Sequence, residues 1–224
     1  MEPFDLSPLR LSLAIAGAAT VLLALAGTLA GRLMMGRRGW LAGLADAALL
    51  LPLALPPTVV GHLLLLLFGA RGPLGAPLNA LGWRIAFAPS GAVLAAAVCA
   101  FPFMYRAARA GFEQVPADLL HAARALGAGE GEILRRILIP LARPALLAGL
   151  LLGFARALGE FGATMMLAGN IPGRTRTLPV AVFFAVEAGR DGEALAYAAL
   201  SAALSLGAVL ALNLWVKRGG REGA

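Results

Sequence analysis

The sequence predicts an all-α integral membrane protein. About five transmembrane helices form a bundle, or six if a shorter stretch also crosses, with a short cytoplasmic helix and re-entrant or interfacial segments. Three observations predict it. Hydrophobic residues make up 60% of the 224 and the mean hydropathy is +0.82, where a soluble domain is about 45–50% apolar. Charged residues are only 14%, too few to cover a soluble surface of this size. Lipid removes that requirement by solvating an apolar outer face. Finally, several apolar runs reach the roughly 20 residues that a crossing helix needs. The formal charge is +7 and the pI about 11.1. Because the arginines lie between apolar blocks and not in one run, the basicity points to membrane topology, not to nucleic acid.

The spans are expected at 11–30, 46–68, 89–108, 137–158 and 194–216. Glu2 and Asp5 precede the first run, with only Arg10 beside it, and its apolar core exceeds that of a signal peptide, so an uncleaved span is expected. The second span contains Pro52, Pro56 and Pro57, each lacking a backbone donor, and is expected to be kinked inside the bundle. His62, just beyond, reads as an interfacial or satisfied histidine. Cys99 lies in the third apolar run and reads as a small buried hydrophobe. Residues 161–168 and 177–188 are too short to cross alone and are expected to dip in or lie at the interface.

Orientation follows from the loop arginines and lysine. With the N-terminus outside and the C-terminus inside, Arg32, Arg37, Arg38, Arg106, Arg109, Arg124, Arg135, Arg136, Lys217, Arg218 and Arg221 fall in the cytoplasm. Arg10, Arg71, Arg84, Arg174, Arg176 and Arg190 fall on the other face. The flipped arrangement reverses this bias.

The cytoplasmic loop, about 110–135, holds a short amphipathic helix. Pro116 suits its first turn and Gly127 its left-handed end. Leu119, Leu120, Ala123 and Leu126 fall near one face, with Asp118, His121 and Arg124 elsewhere; Glu113 lies just upstream. Pro140 and Pro144 imply a bend at the inner end of the next span. The spacing His121-Ala122-Ala123, three residues, Gly127, nine residues, Ile137, then Ile139 and Pro140 resembles the EAA signature of the permease subunits of ABC importers. The one departure is His121, where the family carries Glu. The resemblance implies that the loop helix is a coupling helix docking in a groove of a cytoplasmic ABC ATPase, through Glu113, Asp118, His121, Ala122, Ala123, Arg124, Leu126 and Gly127. Ile137 and Pro140 would pass its displacement to the bundle.

Residues 154–164, Phe-Ala-Arg-Ala-Leu-Gly-Glu-Phe-Gly-Ala-Thr, and 169–179, Gly-Asn-Ile-Pro-Gly-Arg-Thr-Arg-Thr-Leu-Pro, resemble permeases for tetrahedral oxyanions, most of all the molybdate branch of the molybdate/sulfate family. Residues 51–65 and 91–107 extend the resemblance over nearly the whole chain. It implies a homodimer in a bacterial or archaeal cytoplasmic membrane. The partners implied are a dimer of ABC ATPases, which would hold ATP and magnesium, and an extracytoplasmic oxyanion-binding protein. No cofactor or metal is expected in this chain.

Arg156 and Glu160 stand four apart and can pair. From Ile137, Arg156 lies about 28 Å along a straight helix, near the outer interface. With Thr164, the pair is expected to close the outer mouth. It is not expected to be a substrate site, since a pore that bound a dianion tightly could not release it. Arg174 and Arg176 are expected to face the binding protein or solvent. A membrane-embedded enzyme is disfavoured: the two histidines, His62 and His121, fall on opposite sides, and the spans hold no nucleophile–base pair. No GxxxxGK[ST] phosphate loop occurs, so ATP hydrolysis is expected in a separate partner. A passive channel would not need the docking loop.

Overall fold

A computed structural model describes residues 4–219. Its elements are α1 (Ser7–Met34), α2 (Trp40–Ala54), α3 (Pro57–Phe68), α4 (Gly75–Ala80), α5 (Pro89–Glu113), α6 (Ala117–Ala125), α7 (Glu130–Ile133), a π-helical turn (Leu134–Leu138), α8 (Ile139–Leu141), α9 (Arg143–Leu158), α10 (Gly162–Ala168), α11 (Leu178–Glu187) and α12 (Asp191–Gly219). Three helices, α1, α5 and α12, are long and apolar enough to cross unbroken; counting each of two bent helix pairs as one span gives five.

Three helices form the spine. A Cβ on Gly27 would lie 2.5 Å from Met104 Cγ, and one on Gly31 would lie 2.7 Å from Ala108 Cβ. The matching four-residue steps make α1 and α5 parallel. A Cβ on Gly111 would meet Ala145, and one on Gly149 would meet Ala107, so α9 runs antiparallel to α5. Small residues let the backbones approach where lipid provides no hydrophobic drive. Ala92, Ala96, Ala100 and Ala108 of α5 are fully buried or nearly so in this seam, with Ala16, Ala19 and Leu23 of α1. The outer faces, including Leu25, Leu29 and Leu33, are exposed, as a lipid-facing surface requires.

α12 starts where α1 starts: the Tyr197 hydroxyl donates to the Asp5 carbonyl, and the Leu178 amide donates to Ser12 Oγ. That face is opposite the one carrying α6, where Arg32 at the end of α1 meets Glu130. The side chains of Lys217 and Arg218, and all of Arg221, lie outside the described residues.

The structure departs from the sequence expectations at the prolines. The kink expected in 46–68 is a full break: α2 and α3 meet at 111°. Pro56 and Pro57 remove consecutive donors, and Leu55 is extended. Pro52, by contrast, sits inside α2. The stretch 137–158 bends by 77° at Ala142, between Pro140 and Pro144. Ile137 to Leu141 therefore belong to the inner segment, and only Arg143–Leu158 is straight. α5 continues to Glu113, beyond the expected end at 108, so Arg109 and Glu113 are helical. α10 does not dip in and return. The Phe87 amide donates to the Leu167 carbonyl, and Gly91 faces Leu167. α10 thus carries the climb of α9 on to the outer end of α5. α11, ten residues long, is about 15 Å and too short to cross.

Candidate functional site

Two sets of functional residues lie at different depths. The first is the inner loop. α6 begins after Pro116 and ends in a Schellman motif: the Ala128 amide donates to the Ala123 carbonyl at 3.0 Å, and the Gly127 amide to Arg124 at 2.9 Å. This closure needs the left-handed conformation that Gly127 adopts, with φ +84°. Only Leu120 and Ala123 of the helix are buried. They join Phe112, Val115, Ile133, Leu138 and Ala142 in one core, so α6 is anchored in the same apolar cluster as the bent entry to α9. Leu119 and Leu126 do not share that buried face: Leu119 is 42% and Leu126 89% exposed. Leu126 lies beyond the last helical residue, whereas Leu119 is within the helix on its exposed side. Asp118, His121, Ala122 and Arg124 are exposed beside them.

Ile137 is half-buried and Pro140 exposed on the segment that connects α6 to α9. There Leu134–Leu138 winds as a π-helix, with the Ile139 amide donating five residues back to Leu134. Such turns are uncommon and mark places where a helix is locally re-aimed.

Charged residues tie this loop to the bundle, and the sequence reading did not pick them out as a set. Glu130 pairs with Arg124 at 2.7 Å and with Arg32 at the end of α1. The hydrogen bond from Arg124 holds the Glu130 carboxyl below its ordinary range, with Arg32 adding to the effect. Glu113 accepts from Arg109 at 2.9 Å and from the Gly36 amide. Arg109 also donates to Asp46 of α2 at 2.7 Å, and the Tyr105 hydroxyl donates to Asp46 as well. Asp46, the only acidic residue in its apolar run, was the available signal.

The second set is Arg156, Glu160 and Thr164. Arg156 Nη2 lies 2.8 Å from Glu160 Oε2, but off the N–H axis, so Oε2 gains charge pairing without a well-directed hydrogen bond. Glu160 is not on α9, as the four-residue spacing suggested; it lies past the helix end, and its Oε1 accepts the Ala163 amide at 2.8 Å. Its side chain is 1% exposed, against 29% for Arg156. Thr164 is buried in α10.

The depth expected for this pair is corrected. Both charges lie beside Cys99. Cys99 is ten residues into α5, so the pair sits about 15 Å below its outer end, near the middle of a hydrocarbon layer of about 30 Å. The bend at Ala142 uses up the length that would have carried Arg156 to the outer interface.

At the outer end, Arg84 and Arg174 line a cavity of about 620 Å³ with Asn79 and Phe87. Phe87 has a φ of +56°. Arg176, by contrast, donates to Asn170 at 2.7 Å. His62 is exposed on α3. No group of His, Cys, Asp or Glu among the described residues could hold a metal ion.

Residues 12–218 match the family described as binding-protein-dependent transport system inner membrane component. The chain is 45% identical over 183 residues to the molybdenum transport system permease protein ModB of Escherichia coli K12, covering 81% of this chain and 80% of that one. It is 42% identical over 196 residues to a putative molybdenum transport system permease protein, YvgM, of Bacillus subtilis, covering 85% of each. Among solved structures, a chain of the MetNI methionine ABC transporter in an inward-facing conformation superposes with a TM-score of 0.69 over 96% of this chain and 95% of that one, at 18% identity. A chain of a bacterial ABC transporter for alginate gives 0.75 over 97% and 80%, at 15% identity. At these identities the structural likeness establishes the fold.

Proposed function

The chain belongs to the family of inner membrane components of binding-protein-dependent transport systems, and on that premise we propose that it is the permease subunit of an ATP-driven importer for molybdate. It is a multi-pass membrane protein. Relatives named as molybdenum permeases, at 42% and 45% identity over most of the chain, support the substrate. The exposed Leu119 of α6 and Leu126 at its cap carry the mechanism: apolar side chains presented by a rigid, capped helix that is anchored in the same core as the bent start of a span. That is the shape of a handle.

In this reading a homodimer presents two such helices to a pair of cytoplasmic ATPases, which hold ATP and magnesium. The basic residues Arg32, Arg37, Arg38, Arg109, Arg124, Arg135 and Arg136 share the face of α6, and their excess there supports a cytoplasmic placement with the N-terminus outside. An extracytoplasmic oxyanion-binding protein docks on the opposite face, near Arg84 and Arg174. Closure of the ATPases displaces α6 as a body. Leu120 and Ala123 share an apolar core with Ile133 and Leu138, through which the motion reaches the π-turn and the Ala142 bend and then α9. α9 packs directly on α1 and α5, so its tilt changes which face of the bundle is open.

The test is uptake of labelled molybdate into proteoliposomes holding this chain, its ATPase and its binding protein. Uptake that requires ATP and is competed by tungstate but not by sulfate supports the reading. Uptake without ATP would favour a passive channel, and competition by sulfate would move the substrate to the sulfate branch.

A further inference from the structure

We infer that Arg156 is a transient oxyanion contact midway along the translocation pathway, and that Glu160 keeps that contact weak enough for release. The inference rests on the transport reading above. It also assigns the face of α9 that lines the pathway.

The first observation is where α9 is covered. Leu146, Gly149, Gly153 and Ala157 are buried against α1 and α5, and α12 packs on the helix as well. Ala148, Leu152 and Arg156 recur at spacings of four, so they share one face of α9, and Gly159 caps its end. That face is left open within the chain: Leu152 is 42% exposed, Gly159 is exposed and Arg156 is 29% exposed. The second observation is depth. An arginine about 15 Å below the outer end of α5 cannot readily turn to lipid, where a charge at mid-bilayer costs at least about 2.5–3.5 kcal/mol. The open face therefore turns to water or protein, and a conduit for an anion supplies both water and a reason for the cation.

The third observation is the pairing. Glu160 is buried and fixed, with Oε1 committed to the Ala163 amide. Its Oε2 neutralises Arg156 electrostatically but takes no directed hydrogen bond, and no further partner of Arg156 is found among the described residues. Most of the guanidinium donors thus stay available to a tetrahedral dianion, which accepts from them in a bidentate way. A lone arginine at that depth would hold the dianion. The carboxylate at 2.8 Å competes with it and repels it, which keeps residence short.

The experiment uses the complete complex in proteoliposomes, in a Cys99→Ser background that removes the single native cysteine. Leu152→Cys and Gly159→Cys are treated with a charged, membrane-impermeant thiol reagent and, separately, with a lipid-soluble maleimide. Reaction with the charged reagent, slowed by molybdate during turnover, is the expected result. Reaction with the maleimide alone would place the face in lipid, and reaction with neither would make it a dry contact between copies; both overturn the proposal. Arg156→Gln should lower molybdate uptake about tenfold while ATP hydrolysis continues, and Arg156→Lys should recover part of it. Glu160→Gln should lower both KM and kcat, the signature of slowed release; a purely structural role would lower protein yield and leave KM unchanged. Normal uptake by Arg156→Gln would also overturn the proposal. The thiol readout is independent of which solute is carried, so a wrong substrate assignment is distinguishable from a wrong pathway.

Discussion

The α1–α5–α9 seam and the inner loop solve opposite problems with opposite residues. The seam is held by backbone proximity: glycine and alanine pack with no room for another methyl group. The loop is held by a capped helix with two buried residues and by the ion pairs of Glu130 and Glu113. Close packing resists deformation, whereas exposed ion pairs are individually weak and exchange readily with water. The bundle is thus built to move as stiff bodies, and the loop is built to be gripped without unfolding. The bent, π-wound segment between them is where one regime hands over to the other.

The largest effect should come from wedging the seam. Gly31→Leu places a branched side chain where even a Cβ would lie 2.7 Å from Ala108 Cβ and 2.8 Å from the Arg109 nitrogen. Overpacking of this kind costs about 1–3 kcal/mol or more. Thermal unfolding in detergent should show a clear fall in Tm, with loss of assembled complex.

A smaller effect is expected from Gly127→Val. A β-branched residue at φ +84° is strained, at a cost of about 1–2 kcal/mol. The seam is untouched, so Tm should change little. Hydrogen exchange of the Gly127 and Ala128 amides, which close the end of α6, should rise selectively.

The smallest effect should come from the Glu130 latch. Its pairing with Arg124 and Arg32 lowers the carboxyl below its ordinary value of 4.5. A carboxyl lowered on folding contributes fully above that ordinary value and loses its contribution as pH falls through the lowered one. Proteolysis of the 126–130 linker should therefore be pH-independent from neutral to mildly acidic conditions and rise only below about pH 4.5. Glu130→Gln should show the acid behaviour already at pH 7.

Much of the fold was legible because membrane helices announce themselves by length, and because Pro116 and Gly127 bracket a helix by backbone rules that hold locally. What was not legible depended on three-dimensional summation. Pro52 and Pro102 each stay inside a helix, while the adjacent Pro56 and Pro57, which remove two donors in succession, break one. The depth of Arg156 was misjudged because 1.5 Å per residue assumes a straight helix, and the bend at Ala142 shortened the path. Periodicity put Leu126 on one face with Leu120 and Ala123, but it stops applying once the helix ends at Ala125, and Leu126 is exposed where they are buried. The Asp46–Tyr105–Arg109 cluster joins residues about sixty positions apart, beyond the reach of any local pattern.

The central claim, that the α6 surface transmits ATPase motion to the bundle, is tested most directly at Leu126. Leu126 is 89% exposed and lies outside the core, so Leu126→Asp should leave folding within about 0.5 kcal/mol of the wild type. The measurement is ATP-dependent molybdate uptake by the reconstituted complex, with Tm and membrane insertion as controls. The account predicts a loss of about tenfold or more in uptake, with insertion and Tm unchanged. Uptake at the wild-type rate by a correctly inserted Leu126→Asp subunit would contradict it.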